Sequence, residues 1–155
     1  MRRFQLDQRG LTLLELVVAT TTLLTLSALA LPVAQVQIKR EKEAELRRAL
    51  REIRTAIDRY KDAADRGLIA VEVNTEGYPP DLETLVDGVP LAGRPDRRVR
   101  FLRRIPRDPM TNSTDWGLRS VQDPPDARSW GGQNVFDVYS RSFGTALDGT
   151  RYADW

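Results

Sequence analysis

Leu11-Thr12-Leu13-Leu14-Glu15-Leu16-Val17-Val18-Ala19-Thr20 opens the run that decides how this chain folds. After Glu15 no charged residue occurs until Lys39, so the stretch from Leu16 to Ile38 reads as a membrane segment. About 20 apolar residues in helical form suffice to cross a bilayer. Glu15 is the anomaly, because an unpaired carboxylate in hydrocarbon costs about 3 kcal/mol or more. A charge placed there calls for a partner.

Downstream, residues 39–66 are dense in charge yet keep Leu46, Leu50, Ile53, Ile57, Tyr60 and Ala64 at spacings of four and three. That spacing predicts an amphipathic helix with a single apolar stripe. The opposite face is expected to carry Glu43 with Arg47, and Arg54 with Asp58, as i,i+4 pairs. Gly67 stands where a C-terminal cap belongs. Nothing but Pro32 separates the apolar run from the amphipathic one, so the two read as one helix of about fifty residues, about 75–80 Å long. Pro32 removes one backbone hydrogen bond and is expected to kink or loosen that helix; neighbouring helices in a membrane tolerate such a break.

Beyond Gly67 the chain changes character, with eight of the nine prolines falling in residues 67–155. Pro79-Pro80-Asp81-Leu82-Glu83-Thr84-Leu85-Val86 predicts a loop leading into a short helix. Gly117-Leu118-Arg119-Ser120-Val121 and Val135-Phe136-Asp137-Val138-Tyr139-Ser140 are the best strands, by their β-branched and aromatic content. Val99-Arg100-Phe101-Leu102 is either extended or part of a loop. The expected class is α+β: a long N-terminal helix, membrane-spanning in its first half, packed on a small C-terminal antiparallel sheet. The expected divisions are 1–10 as a leader, 11–38 as the transmembrane half of the helix, 39–66 as its amphipathic half and 67–155 as a globular region.

Composition narrows the chemistry. With 155 residues there is room for about one domain. The absence of cysteine excludes disulfides, thiol catalysis and zinc–thiolate sites. The absence of histidine removes the commonest general base and transition-metal ligand. The formal charge of +2 resides in residues 1–10, where Arg2, Arg3 and Arg9 oppose Asp7 (3 − 1 = +2); from Leu11 onward the chain is neutral. No nucleophile elbow, phosphate loop or supported carboxylate pair is present, and an enzyme is not expected.

Arg9-Gly10-Leu11-Thr12-Leu13-Leu14-Glu15-Leu16 resembles the class III leader junction of type IV pilins and type II secretion pseudopilins. The resemblance implies that a prepilin peptidase cuts between Gly10 and Leu11 and methylates the new N-terminus at Leu11. Members of the family carry a glutamate at the fifth residue after the cut and commonly a proline at the twenty-second; counted from Leu11, these are Glu15 and Pro32. The implied fold is the type IV pilin-like one. Ile105-Pro106-Arg107-Asp108-Pro109-Met110-Thr111-Asn112, followed by Asp115-Trp116-Gly117, is similar to the region after the helix in G-type major pseudopilins. Glu15 is then expected to pair with the α-amine of Leu11 on a neighbouring copy, which would fix the register between subunits.

The resemblance also implies the setting: a single-pass protein of the bacterial inner membrane, with its C-terminal domain in the periplasm, that polymerises with itself into a pseudopilus. Implied partners are minor pseudopilins, the prepilin peptidase, an inner-membrane assembly platform and its cytoplasmic ATPase. Basic residues do not fix the orientation, since Lys39, Arg40, Lys42, Arg47 and Arg48 follow the segment while three arginines precede it. Two other readings stay open. One is a type IV pilin, major or minor, of a surface pilus; the other is a signal-anchored periplasmic binding domain that never polymerises, for which Ala28-Leu29-Ala30 imitates a cleavage site.

Major pseudopilins of this type hold calcium in a C-terminal loop, and Asp148 and Asp154 fall in the matching region. A hard cation takes six to eight oxygens, of which these two residues and Ser140 supply some; the plainer reading of Asp148-Gly149 is a turn. Arg94, Arg97, Arg98, Arg100, Arg103, Arg104 and Arg107 form a basic cluster. Only Phe101 is at hand to stack on a base, so no nucleic acid is expected; a solvated loop, or a face that meets acidic patches on adjacent subunits, fits better.

Overall fold

The computed structural model describes residues 12–155, without the side chains of 29–33, and divides the chain into two compact units, Met1–Lys39 and Arg40–Trp155. The class is α+β. Helix α1 (Leu13–Asp65) supplies the described part of the first unit and the opening of the second. The leader expected at 1–10 and the Gly10–Leu11 junction lie outside the described residues, as does the side chain of Pro32; the helix assignment runs through position 32.

Among the described residues of the first unit α1 is the sole element, and Leu13, Leu14, Leu16, Val17, Val18, Leu23, Leu24 and Leu26 are all more than half exposed. The helix begins at a cap. Thr12 accepts the Leu16 amide on its carbonyl at 3.0 Å and the Glu15 amide on its hydroxyl at 3.2 Å. Thr12 and Glu15 therefore occupy the two positions of a capping box, Ser/Thr followed three residues later by Glu.

In the second unit the stripe is buried as its spacing predicts. Leu46, Leu50, Ile53, Ile57 and Tyr60 are each at most 2 % exposed, and Ala64 is partly buried at the edge. The helix stops at Gly67, whose φ of 66° lies in the left-handed region. The Gly67 amide donates to the Ala64 carbonyl and the Leu68 amide to that of Ala63, both at 2.9 Å. These two bonds make a Schellman motif, which satisfies carbonyls the helix end would otherwise leave open.

The remaining elements are short. Helix α2 (Leu82–Asp87) starts on Asp81, whose carboxylate accepts from the Thr84 amide at 2.7 Å and the Thr84 hydroxyl at 2.6 Å. Strands β1 (Val89–Leu91) and β2 (Arg94–Val99) form one antiparallel pair, β3 (Gly117–Arg119) and β4 (Asp137–Tyr139) another. The single expected sheet is thus two separate two-stranded ladders. Val135, Val138, Leu85, Leu102 and Trp116 close the core over the α1 stripe. At the β3–β4 pairing Gly117 faces Tyr139, and a Cβ on Gly117 would collide with that ring.

β2 departs from expectation. Its arginines were expected in a solvated loop or on a face that meets acidic patches of adjacent subunits; Arg94–Val99 is a strand, with Ala92 and Gly93 turning between Leu91 and Arg94. Five of its six residues are exposed, and Pro95 is tolerated because this is an edge strand. Val99-Arg100-Phe101-Leu102 is strand only at Val99.

Candidate functional site

The N-terminal part of α1 is the first candidate. Glu15 sits exposed in its first turn, where the helix dipole favours a carboxylate. The polar patch at Thr20, Thr21, Thr22 and Thr25 is turned inward on itself: the four hydroxyls donate to carbonyls three or four residues back, at 2.7 to 3.0 Å. Such back-bonding leaves no hydroxyl in search of a partner. Among the described residues no helix is long and apolar enough to cross a membrane; the side chains of 29–33 are not among them.

The second candidate is the segment from Ala146 to Trp155. Asp148 closes an Asx turn on Thr150, accepting its amide at 2.9 Å and its hydroxyl at 2.6 Å, and lies 3.6 Å from Arg47. These donors hold its carboxyl below the usual range, the Thr150 hydroxyl most of all. Asp154 is held low chiefly by its hydrogen bond to Arg151; Arg128 reaches the same carboxylate at 2.6 Å. Ser140 is committed elsewhere, its buried hydroxyl donating to Asp108 at 2.6 Å. Among the described residues no group of three or more acidic, histidine or cysteine side chains gathers. Arginines and hydroxyls occupy the oxygens that a hard cation would need, and this donor set does not fit calcium.

The expected outward pairs of α1 are corrected here. Glu43 does not face solvent with Arg47; it is 9 % exposed and accepts from the Leu147 amide at 2.9 Å and the Tyr152 hydroxyl at 3.0 Å. Arg47 stacks over Trp155 with its guanidinium carbon 4.2 Å from the ring centroid. Arg54 turns from Asp58 to Asp137, at 2.7 Å, and donates to the main-chain oxygens of Val138 at 3.1 Å and Trp155 at 2.8 Å. Glu43, Arg47 and Arg54 lie four and seven residues apart, on one stripe beside the apolar one. Together they fasten the C-terminal segment to the helix. Arg119, 7 % exposed, completes the arrangement from β3: it lies over the Tyr139 ring and reaches Asp137 at 3.4 Å.

The segment from Ile105 to Asn112 is a structural loop. Asp108 is fully buried and accepts from the Met110 amide at 2.7 Å besides Ser140, while the Trp116 indole donates to the Pro106 carbonyl at 2.9 Å. Every one of these groups is spent on holding chain to chain. No family model matches the sequence, and neither a curated protein nor a solved structure is found to be similar to it.

Proposed function

We propose that this chain is a structural subunit of a pseudopilus, built on the type IV pilin-like fold and closest to the G-type major pseudopilins. It is inserted in the bacterial inner membrane, cut between Gly10 and Leu11, and polymerised through α1 to drive protein secretion from the periplasm. One observation carries the reading: among the described side chains, those of α1 from Leu13 to Leu26 expose an extended apolar surface, with Glu15 in the first turn. Contiguous apolar surface of that extent belongs against lipid or other protein, and the inward-bonded threonines suit both.

Cutting after Gly10 would free an α-amine at Leu11, four residues from Glu15. In a bundle of like helices the amine of one copy and the carboxylate of the next neutralise each other, whereas either alone would be a buried charge. The chain does mechanical work and catalyses nothing itself; prepilin peptidase, the assembly platform, its ATPase and minor pseudopilins act on or beside it. Intact-mass measurement of the membrane-extracted protein tests this. A mature form beginning at N-methylated Leu11 is expected, and a form beginning at Met1, or one cut after Ala30, would overturn it.

A further inference from the structure

We propose that the globular unit carries its own docking pair: a basic hollow on one copy receives the acidic hollow of the next. The inference rests on the filament reading for its setting and on residues 45–107 for its content.

The basic side joins two adjoining hollows. Arg48, Arg51 and Arg59 of α1 face Arg103, Arg104 and Arg107 of the loop after β2, with Glu45 and Glu52 as the acidic members. Six arginines against two glutamates leave +4. All six are exposed, and among the described residues Arg48, Arg51, Arg59, Arg103 and Arg104 form no ion pair. The acidic side is a hollow where Glu72, Asp81, Glu83 and Asp87 face the lone Arg98, leaving −3. Arg98 is already committed to the Gly88 carbonyl, at 2.6 Å. The Tyr60 hydroxyl registers this field, held above its usual range by burial and then by Glu72 and Asp81.

The two hollows are distinct patches of one molecule. Tyr60 lines the acidic one and Phe101 the basic one, and the two rings touch edge to face with centroids 5.3 Å apart. The proposed contact is heterologous, one hollow of each copy per contact, so a hollow stays free at either end and the contact repeats into an open polymer where the rotation does not close; a reciprocal contact through both hollows would stop at a two-fold dimer. A second copy is favoured over a polyanion because the complementary charge stands on this same chain. Nucleic acid would have no use for the acidic hollow, and Phe101, packed on Tyr60, is not free to stack on bases.

Charge exchange in the full-length chain tests the pairing. Arg48→Glu, Arg51→Glu and Arg103→Glu together take the basic hollow from +4 to −2 and make both hollows acidic; Glu83→Arg with Asp87→Arg takes the acidic one from −3 to +1 and makes both basic. Each variant alone should lose sedimentable polymer at least tenfold, and co-expression of the two should restore it, an outcome that damaged folding does not produce. Polymer retained by either variant, or no restoration on mixing, overturns the proposal. So does loss of heparin or anionic-vesicle retention by the first variant with assembly intact. Because the native chain has no cysteine, Arg103→Cys with Asp87→Cys provides a separate readout. Oxidation should give a ladder of multimers, whether or not Leu11 has been freed. Processed, sedimentable polymer without a ladder refutes the docking pair and spares the filament; a ladder from a chain that keeps Met1 does the reverse.

Discussion

The Tyr152 hydroxyl donates to the Glu43 carboxylate at 3.0 Å, across 109 residues of sequence and inside the protein. With the Leu147 amide on the same oxygen, this carboxylate ties the end of the chain to α1. Tyr152→Phe removes one donor and should lower stability by about 1–2 kcal/mol. Glu43→Ala strands both donors and should cost more, about 2–4 kcal/mol. Urea unfolding of the detergent-solubilised chain reads both, and equal midpoints for wild type and Glu43→Ala would dismiss the tie.

The same bond gives the alkaline limit. Burial first, and then the Glu43 hydrogen bond, push the Tyr152 phenol up to about 12. Since this value is above the unfolded one of about 10, the phenol's contribution is complete below the unfolded value and is lost as pH rises through about 12. Asp123, Asp148 and Asp154 behave oppositely, each held below the usual carboxylate range, Asp123 by the amides of Ser120 and Gly131. Their contribution is complete above the unfolded value of about 4 and is lost as pH falls through their folded values. Unfolding midpoints should be flat near neutrality, drop below about pH 4, and drop less steeply in Asp148→Asn.

Arg54 holds a carboxylate and two main-chain oxygens with one guanidinium. Arg54→Ala should cost about 2–3 kcal/mol by leaving those acceptors without their charged donor. Arg54→Lys should recover only part of that, because an ammonium cannot reproduce the planar fork. Thermal melting of the three proteins side by side gives the order, and full recovery by lysine would count against the fork.

Calcium should do nothing. With Asp148 on Thr150 and Arg47, and Asp154 on Arg128 and Arg151, melting in millimolar calcium and in excess chelator should coincide. A ligand present at 100 times its Kd would add about 2.7 kcal/mol, so a calcium-dependent rise in the midpoint is easily seen and would reinstate the site.

The pairing proposed for Glu15 is isolated by one substitution. Glutamine at this position keeps the main-chain amide on the Thr12 hydroxyl and suits the third position of a capping box as glutamate does, but carries no charge for an amine. Glu15→Gln should therefore leave helix content and cleavage at Gly10 unchanged while filament formation is lost. Normal filaments from Glu15→Gln would overturn the pairing.

Much of this architecture is legible before any coordinates, and the exceptions share a cause. Leu46 to Tyr60, the stop at Gly67, the cap at Asp81 and the pairs near 117–119 and 137–139 are written in local spacing and local chemistry. Glu43 and Arg54 were misread because an i,i+4 partner and a distant partner look alike from sequence; their acceptors and donors lie more than 80 residues away. β2 escaped notice because an exposed edge strand of arginines has no apolar alternation to announce it. The Thr12–Glu15 cap was visible as Thr-x-x-Glu, hidden behind the stronger reading of the same residues as a processing junction.

The four inward-bonded threonines of α1 bear on how such a helix can travel. A segment that leaves a bilayer for the inside of a bundle normally has to exchange partners as it goes. Here the hydroxyls carry their acceptors with them, on the same turn of the same helix. Under the proposed function, a passage from lipid to protein would break no bond of theirs.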